Sequence, residues 1–299
     1  MFTGSLVALV TPMHADGAID RDAWSRLLEF QLASGTSGIV VGGTTGESPT
    51  LTESEMRDLA VAAVDRCRGR IPVIAGVGTS STAATVERAR WMSALGVDAL
   101  LVVTPAYNRP TQDGLYLHFE AVAAAATVPV IVYNVPSRTA VDLLPDTAVR
   151  LSQLTHIVGI KEAVAGVERV RALIAGCRPD FCVLSGDDAT AREAILAGAR
   201  GVISVTANVA PQPMTEMVAA ALRRDAPLAA RIDARLAELH RGLFVESNPI
   251  PAKWALLQMG LVGSGIRLPL TELSGRFQPT VRAALFAAGA LAAPPQGTS

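Results

Sequence analysis

Lys161 closes the apolar run Ile157-Val158-Gly159-Ile160, a place where a charge needs a reason. Strand alternation puts Lys161 and Ile160 on opposite faces. An amine taken out of water gains chemistry that a surface lysine lacks. At the ordinary pKa of about 10.4, fewer than about one lysine in a thousand is neutral at pH 7; at about 8, roughly a tenth is. That neutral amine can attack a carbonyl carbon and form a Schiff base. Tyr133 closes the preceding run, in Val132-Tyr133-Asn134-Val135-Pro136, and should stand beside Lys161 on the same rim, where a phenol could relay protons. Arg138, five residues on, could hold a carboxylate through two parallel hydrogen bonds. Gly42-Gly43-Thr44-Thr45-Gly46-Glu47-Ser48 offers backbone amides and hydroxyls suited to a small anion. Taken singly, each has a plain alternative: a snorkelling lysine, an amphipathic rim tyrosine, an exposed loop arginine, a tight structural turn.

Eight short apolar runs, bounded by Gly, Pro or Thr, must position these groups: 6–10, 38–41, 72–75, 99–103, 129–133, 157–160, 182–184 and 202–205. Their near-continuous Val, Ile, Leu and Ala content lacks the polar face of an antiparallel sheet, so they read as parallel strands covered on both sides. The intervening segments have helical spacing, as in Trp24, Leu27 and Leu28 or Met56, Leu59, Ala60 and Ala63. Thr52 with Glu55 forms a capping-box pattern, and Gly35, Gly69 and Gly96 stand where helices should stop. Eight strand–helix units predict an α/β chain folded as a single (β/α)8 TIM barrel, with a doubly wound sheet as the alternative. After about residue 225 the pattern becomes helical, over 227–243, 251–259 and 270–288. We therefore divide the chain into a catalytic barrel, 1–225, and a C-terminal helical extension, 226–299, whose last residues, 292–299, should be frayed.

Composition narrows the function. The 299 residues are 50% apolar and carry 26 basic against 27 acidic side chains, which with only 4% aromatics excludes a basic groove or stacking platform for nucleic acid. Mean hydropathy is +0.35, yet the stretch 121–137 contains Pro129, Asn134 and Pro136 and is short for a membrane span, so it reads as a helix end plus a strand. No positive leader precedes Arg21, and Cys67, Cys177 and Cys182 are odd in number without a C-x-x-C pair, so a cytoplasmic protein is expected. His14, His118, His156 and His240 lack metal-ligand spacing, and no catalytic metal is expected. Gly76-Val77-Gly78 has no third glycine for a dinucleotide fingerprint, no phosphate-loop or G-x-S-x-G motif is present, and Asp187-Asp188 reads as a helix cap.

Together, Gly43-Thr44-Thr45-Gly46-Glu47, Tyr133-Asn134-Val135-Pro136-Ser137-Arg138-Thr139 and Gly159-Ile160-Lys161-Glu162 resemble the signature of the dihydrodipicolinate synthase and N-acetylneuraminate lyase family. The likeness extends from Met1 to about Gly289 and includes Tyr107-Asn108-Arg109-Pro110, Leu184-Ser185-Gly186-Asp187-Asp188 and Asn248-Pro249-Ile250-Pro251. It implies a (β/α)8 barrel with a helical tail, a homotetramer built as a dimer of dimers, and no cofactor. The implied substrates are pyruvate and L-aspartate 4-semialdehyde, at the committed step towards diaminopimelate and lysine. By the same resemblance Lys161 carries the Schiff base, and Tyr133, Thr44 and Tyr107 form a proton relay, Tyr107 reaching into a neighbouring subunit. Thr45, Gly186 and the backbone at Ile203 belong to substrate binding, and Arg138 takes the carboxylate of the semialdehyde. Arg138 favours this reaction over the sugar-acid aldolases of the family, which usually lack that clamp. A sugar-acid aldolase or dehydratase and a non-catalytic binding paralogue are the alternatives.

The chain departs from the pattern of lysine-inhibited members at five positions: Glu53, Met56, Ser80, Ala84 and Ala106. Losing those polar and aromatic partners should leave a bound amino acid's charges unpaired, so weak or absent feedback by lysine is expected.

Overall fold

The computed structural model describes residues 2–291. Eight strands, β1 (Gly4–Ala8), β2 (Gly38–Val41), β3 (Val73–Gly76), β4 (Ala99–Val103), β5 (Val130–Asn134), β6 (Ile157–Glu162), β7 (Cys182–Ser185) and β8 (Gly201–Ser204), form a closed barrel in chain order. Every neighbouring pair is parallel, and β8 returns to β1. Each predicted apolar run holds one strand, and a helix follows every strand, as the (β/α)8 arithmetic requires.

β1 begins two residues before its apolar run. Gly4 pairs with Gly201 across the closing seam, where a Cβ on Gly201 would lie 2.1 Å from the Gly4 carbonyl oxygen. Backbones that close need two glycines, so the strand starts on them, and the amide of Val10 is taken instead by Asn208 Oδ1 at 3.0 Å.

The unbroken apolar character of the strands follows from their two buried faces. Leu6, Val40, Ile74, Leu101, Ile131 and Leu184 fill the barrel interior, while Val7, Ile39, Leu100, Val132, Ile160 and Val183 pack outward against the helices. Residues 121–137 are the end of the helix Gln112–Ala125 followed by β5, as expected. No helix among the described residues is long and apolar enough to cross a membrane.

The helix Glu53–Cys67 starts on the predicted capping box: Glu55 N donates to Thr52 Oγ1 at 3.2 Å, and Thr52 N donates to Glu55 Oε2 at 2.8 Å. Past residue 225 the chain forms the helices Ala226–Gly242, Ile250–Gln258 and Gln278–Ala287. Leu236, Leu239, Trp254 and Leu285 of these helices join the same apolar cluster as the outer face of the barrel. The tail 292–299 lies outside the described residues. The three cysteines are free and buried; burial pushes the thiols of Cys67 and Cys182 up to about 11, so both stay protonated near neutrality.

Gly76, at the end of β3, lies against the loop that follows β2, and a Cβ there would come within 2.2 Å of the Gly42 carbonyl oxygen. Gly76→Ala should therefore lower stability by about 1–3 kcal/mol, read as a lower denaturant midpoint at unchanged slope. An unchanged midpoint would mean that this approach of two backbones is dispensable.

Candidate active site

Lys161 is the fifth residue of β6, and in parallel register it pairs with Tyr133 on β5 and Leu184 on β7. Ile160 points into the outer layer, so Lys161 points into the barrel, where it is 6% exposed. Its Nζ stands 4.2 Å from the centre of the Tyr133 ring. Burial is the main force on the amine and draws its pKa down to about 8; the Asp188 carboxylate opposes this, and the Arg138 guanidinium adds to it. Near neutrality about a tenth of the amine is then ready to act as a nucleophile. Room for it depends on Gly186, since a Cβ there would meet Lys161 Cε at 3.1 Å and Ala163 Cβ at 2.9 Å.

Tyr133 is buried, and desolvation raises its pKa, against which Arg138 and a hydrogen bond with the Thr44 side chain work. The phenol therefore keeps its proton near neutrality and can lend it to a neighbour. Thr44 lies in the loop between β2 and the helix Glu53–Cys67, half-buried at the C-terminal ends of the strands. Thr45 is buried, and its Oγ1 accepts from Asn248 Nδ2 at 2.9 Å. Arg138 sits on the short helix Pro136–Thr139 after β5, exposed at the rim, with Nη2 donating to the Asn248 carbonyl at 3.4 Å. Ile203 contributes to the interior layer from β8.

One residue of the set is not gathered with the others. Tyr107 is 95% exposed, with a left-handed backbone (φ 72°), and its side chain faces solvent in the single chain. The remainder form one rim: a desolvated amine, a protonated phenol, two threonine hydroxyls and a guanidinium, arranged at the C-terminal ends of the barrel strands.

Three arrangements went unread in the sequence. Asp188 is buried, and its Oδ2 accepts from the amides of Val205 and Thr206, both at 2.9 Å, while Asp187 caps the turn at Thr190. The cap-like reading of the pair thus understates Asp188, which ties β7 to the end of β8 and puts negative charge near the amine. Glu162 is held by Asn134 Nδ2, at 3.1 Å to each oxygen, and burial raises its pKa to about 7. Asn134 also donates to Asp142 Oδ1 at 2.8 Å, and Asp142 pairs with Arg169. The signal for this group was an acid next to Lys161 inside an apolar strand. Glu47, third, makes a buried ion pair with Lys253, far along the chain. Among the described residues no group of three or more His, Cys, Asp or Glu is placed to hold a metal ion.

Comparison with known proteins gives consistent relatives. The family model described as "Dihydrodipicolinate synthetase family" matches residues 1–288. The 4-hydroxy-tetrahydrodipicolinate synthase of Alkalilimnicola ehrlichii is 57% identical over 291 residues, which cover 97% of this chain and all of the relative. The crystal structure of a chloride-inhibited dihydrodipicolinate synthase from Acinetobacter baumannii, complexed with pyruvate, superposes with a TM-score of 0.96 at 48% identity, covering 97% of this chain and 100% of that one. A dihydrodipicolinate synthase variant described as monomeric superposes with a TM-score of 0.95 at 40% identity, covering 97% and 98%.

The lowered amine pKa has a signed consequence. Below about pH 8 the neutral fraction of Lys161 grows about tenfold per pH unit, and above it the fraction levels off. The initial rate at which borohydride traps pyruvate on the protein should rise with that slope from pH 6 and flatten near 8. A rate still climbing tenfold per unit between pH 9 and 10 would mean that the amine is not desolvated.

Proposed function

The chain belongs to the dihydrodipicolinate synthetase family, and on that premise we propose that it condenses pyruvate with L-aspartate 4-semialdehyde to 4-hydroxy-tetrahydrodipicolinate, on the route to diaminopimelate and lysine. The observation that carries this reading is Lys161, a buried amine with its Nζ 4.2 Å from the Tyr133 ring and its pKa lowered to about 8.

Neutral Lys161 attacks the C2 carbonyl of pyruvate, and the carbinolamine loses water to give a protonated imine. That cation withdraws electrons from C3, whose methyl group loses a proton to leave an enamine. The enamine carbon attacks the aldehyde carbon of the semialdehyde, and the new alkoxide takes up a proton as the hydroxyl. The semialdehyde amine then attacks C2, closes the ring and releases Lys161 as a free amine. Tyr133 moves the protons of these steps, with Thr44 hydrogen-bonded to its phenol. Thr45, Gly186 and the backbone at Ile203 position pyruvate, and Arg138 binds the semialdehyde carboxylate from the rim.

Tyr107 completes the relay from a second copy of the chain. A tyrosine 95% exposed on one chain and held in a left-handed backbone suits a residue that a partner covers. The assembly is a homotetramer, a dimer of dimers, whose catalytic unit is the barrel, 1–225, with the residues after 225 as its extension. We place the reaction in the cytoplasm, where three unpaired buried cysteines stay reduced.

The deciding experiment measures condensation of the two substrates, coupled to the reductase that consumes the product, with N-acetylneuraminate and keto-deoxy sugar acids tested in parallel for pyruvate release. Condensation without sugar cleavage is expected, together with a borohydride-trapped pyruvate adduct that Lys161→Ala cannot form. An adduct without condensation would assign the rim to another aldehyde, and no adduct would leave a binding paralogue.

Control of the reaction follows from the positions at which the chain departs from the lysine-inhibited pattern. Met56 is buried beneath the loop, where a Cβ on Gly42 would meet its Cε at 2.2 Å, and Ser80 Oγ is spent on the Ala106 carbonyl at 2.9 Å. Submillimolar lysine should leave the steady-state rate unchanged; strong inhibition would overturn this.

A further inference from the structure

Glu47 ends the threonine loop with a left-handed backbone (φ 57°) and a side chain that is almost wholly buried. The loop is a set of tight turns: the amides of Gly46 and Glu47 donate to the carbonyls of Gly43 and Thr44, both at 3.1 Å, and the amide of Ser48 returns to the Gly43 carbonyl at 3.3 Å. The position of Glu47 thus sets where Thr44 and Thr45 stand. Its Oε1 accepts from Lys253 Nζ, on the helix Ile250–Gln258, and its Oε2 accepts from the backbone amide of Arg267 at 3.2 Å. Lys253 is 4% exposed. Arg267 in turn donates to the Thr50 carbonyl at 2.7 Å and to the Gly17 carbonyl at 3.0 Å, and pairs with both oxygens of Glu55. Asn248, five residues before Lys253, donates through Nδ2 to Thr45 Oγ1 at 2.9 Å.

These contacts differ in kind from surface pairs such as Arg21–Asp58 or Arg68–Asp65. Removing both charges of Glu47 and Lys253 from water costs several kcal/mol, and two apolar side chains of similar volume would fill the space at about equal stability. What an apolar pair lacks is direction. A non-glycine residue in the left-handed region also carries strain and persists only where its surroundings hold it. The pair supplies that hold, at the one residue that closes the loop of Thr44 and Thr45.

We infer that the Glu47–Lys253 ion pair is a positioning device for pyruvate binding, through which the C-terminal extension fixes the threonine loop against the barrel rim. Neither residue touches substrate; they act through Thr44 and Thr45. The inference rests on the proposed function, because it assigns those threonines to the pyruvate subsite.

The test is the pyruvate concentration giving half-maximal borohydride-trapped adduct in the full chain, read by mass. In Glu47→Met/Lys253→Met both charges give way to apolar side chains of similar volume, so the thermal midpoint should stay near that of the unmodified chain. Half-saturation should rise roughly tenfold while the yield at saturating pyruvate is retained. Half-saturation equal to that of the unmodified chain, in a folded double variant, would overturn the inference and leave the pair a structural contact. Lys253→Arg carries the test if the double variant does not fold: it keeps the charge but moves the donor, so half-saturation should rise several-fold, and an unchanged value overturns the proposal. Absence of adduct in the unmodified chain would instead refute the function on which the inference rests.

Discussion

An amine enclosed in a closed barrel cannot hold its proton as it would in water, and most of the site is arranged around that fact. Lys161 enters the interior because β6 alternates faces, and Ile160 beside it takes the outer one. Desolvation then draws its pKa down to about 8. The two nearby charges pull in opposite directions: Asp188 favours the protonated form, and Arg138 disfavours it. Asp188 is fixed by two backbone amides at the end of β8, whereas Arg138 stands at the exposed rim. The buried acid is the permanent influence on the amine, and the rim arginine is the one a bound carboxylate can neutralise.

The barrel provides this enclosure only because its backbones come close at chosen places. Gly4 and Gly201 let β1 and β8 meet, Gly186 leaves space over the Lys161 side chain, and Gly76 allows the threonine loop to lie against β3. Each glycine removes a side chain at a point where two elements must approach. The loops they admit carry Thr44 and Thr45 on one side and the segment after β7 on the other. The carboxylate of Glu47 in the threonine loop is answered from far along the chain, by Lys253 and the amide of Arg267, so the segment past residue 225 takes part in shaping that side of the rim.

The strands and the buried lysine were legible in the sequence because both depend on short-range pattern. A run buried on both faces shows itself as unbroken Val, Ile and Leu, and a lysine ending such a run is conspicuous. Tyr133 and Lys161 could be placed side by side because consecutive parallel strands align their ends. The start of β1 was misplaced by two residues, since hydrophobicity does not register a seam that closes on two glycines. Glu47 read as part of an anion-binding loop because its partner lies 206 residues away. No periodicity links such positions. Glu162 and Asp188 were passed over for a related reason: an acid next to a lysine or at a helix start is ordinary in sequence, and only burial makes it consequential.

Burial of this kind acts against the stability of the fold, and the sign differs between the two neighbours on β6. For Lys161 the folded pKa lies below the unfolded one, so the penalty is fully present below about pH 8 and fades as pH rises towards 10.5; at pH 7 it is about 3 kcal/mol. For Glu162 the folded pKa lies above the unfolded one, so the penalty is absent below about pH 4.5 and complete above about 7, again about 3 kcal/mol at neutrality. The cost at Lys161 is not required by the barrel, whereas Glu162 also takes up the Val164 amide at 2.8 Å and the Asn134 side chain. Both costs fall on the apolar layers inside and outside the strands, which must be large enough to carry them. A domain whose marginal stability is of the order of 5–15 kcal/mol can hold two such groups only if the rest of its core is well packed. The unbroken apolar strands that made the fold readable are therefore also what allows an amine to stand in their midst in a reactive form.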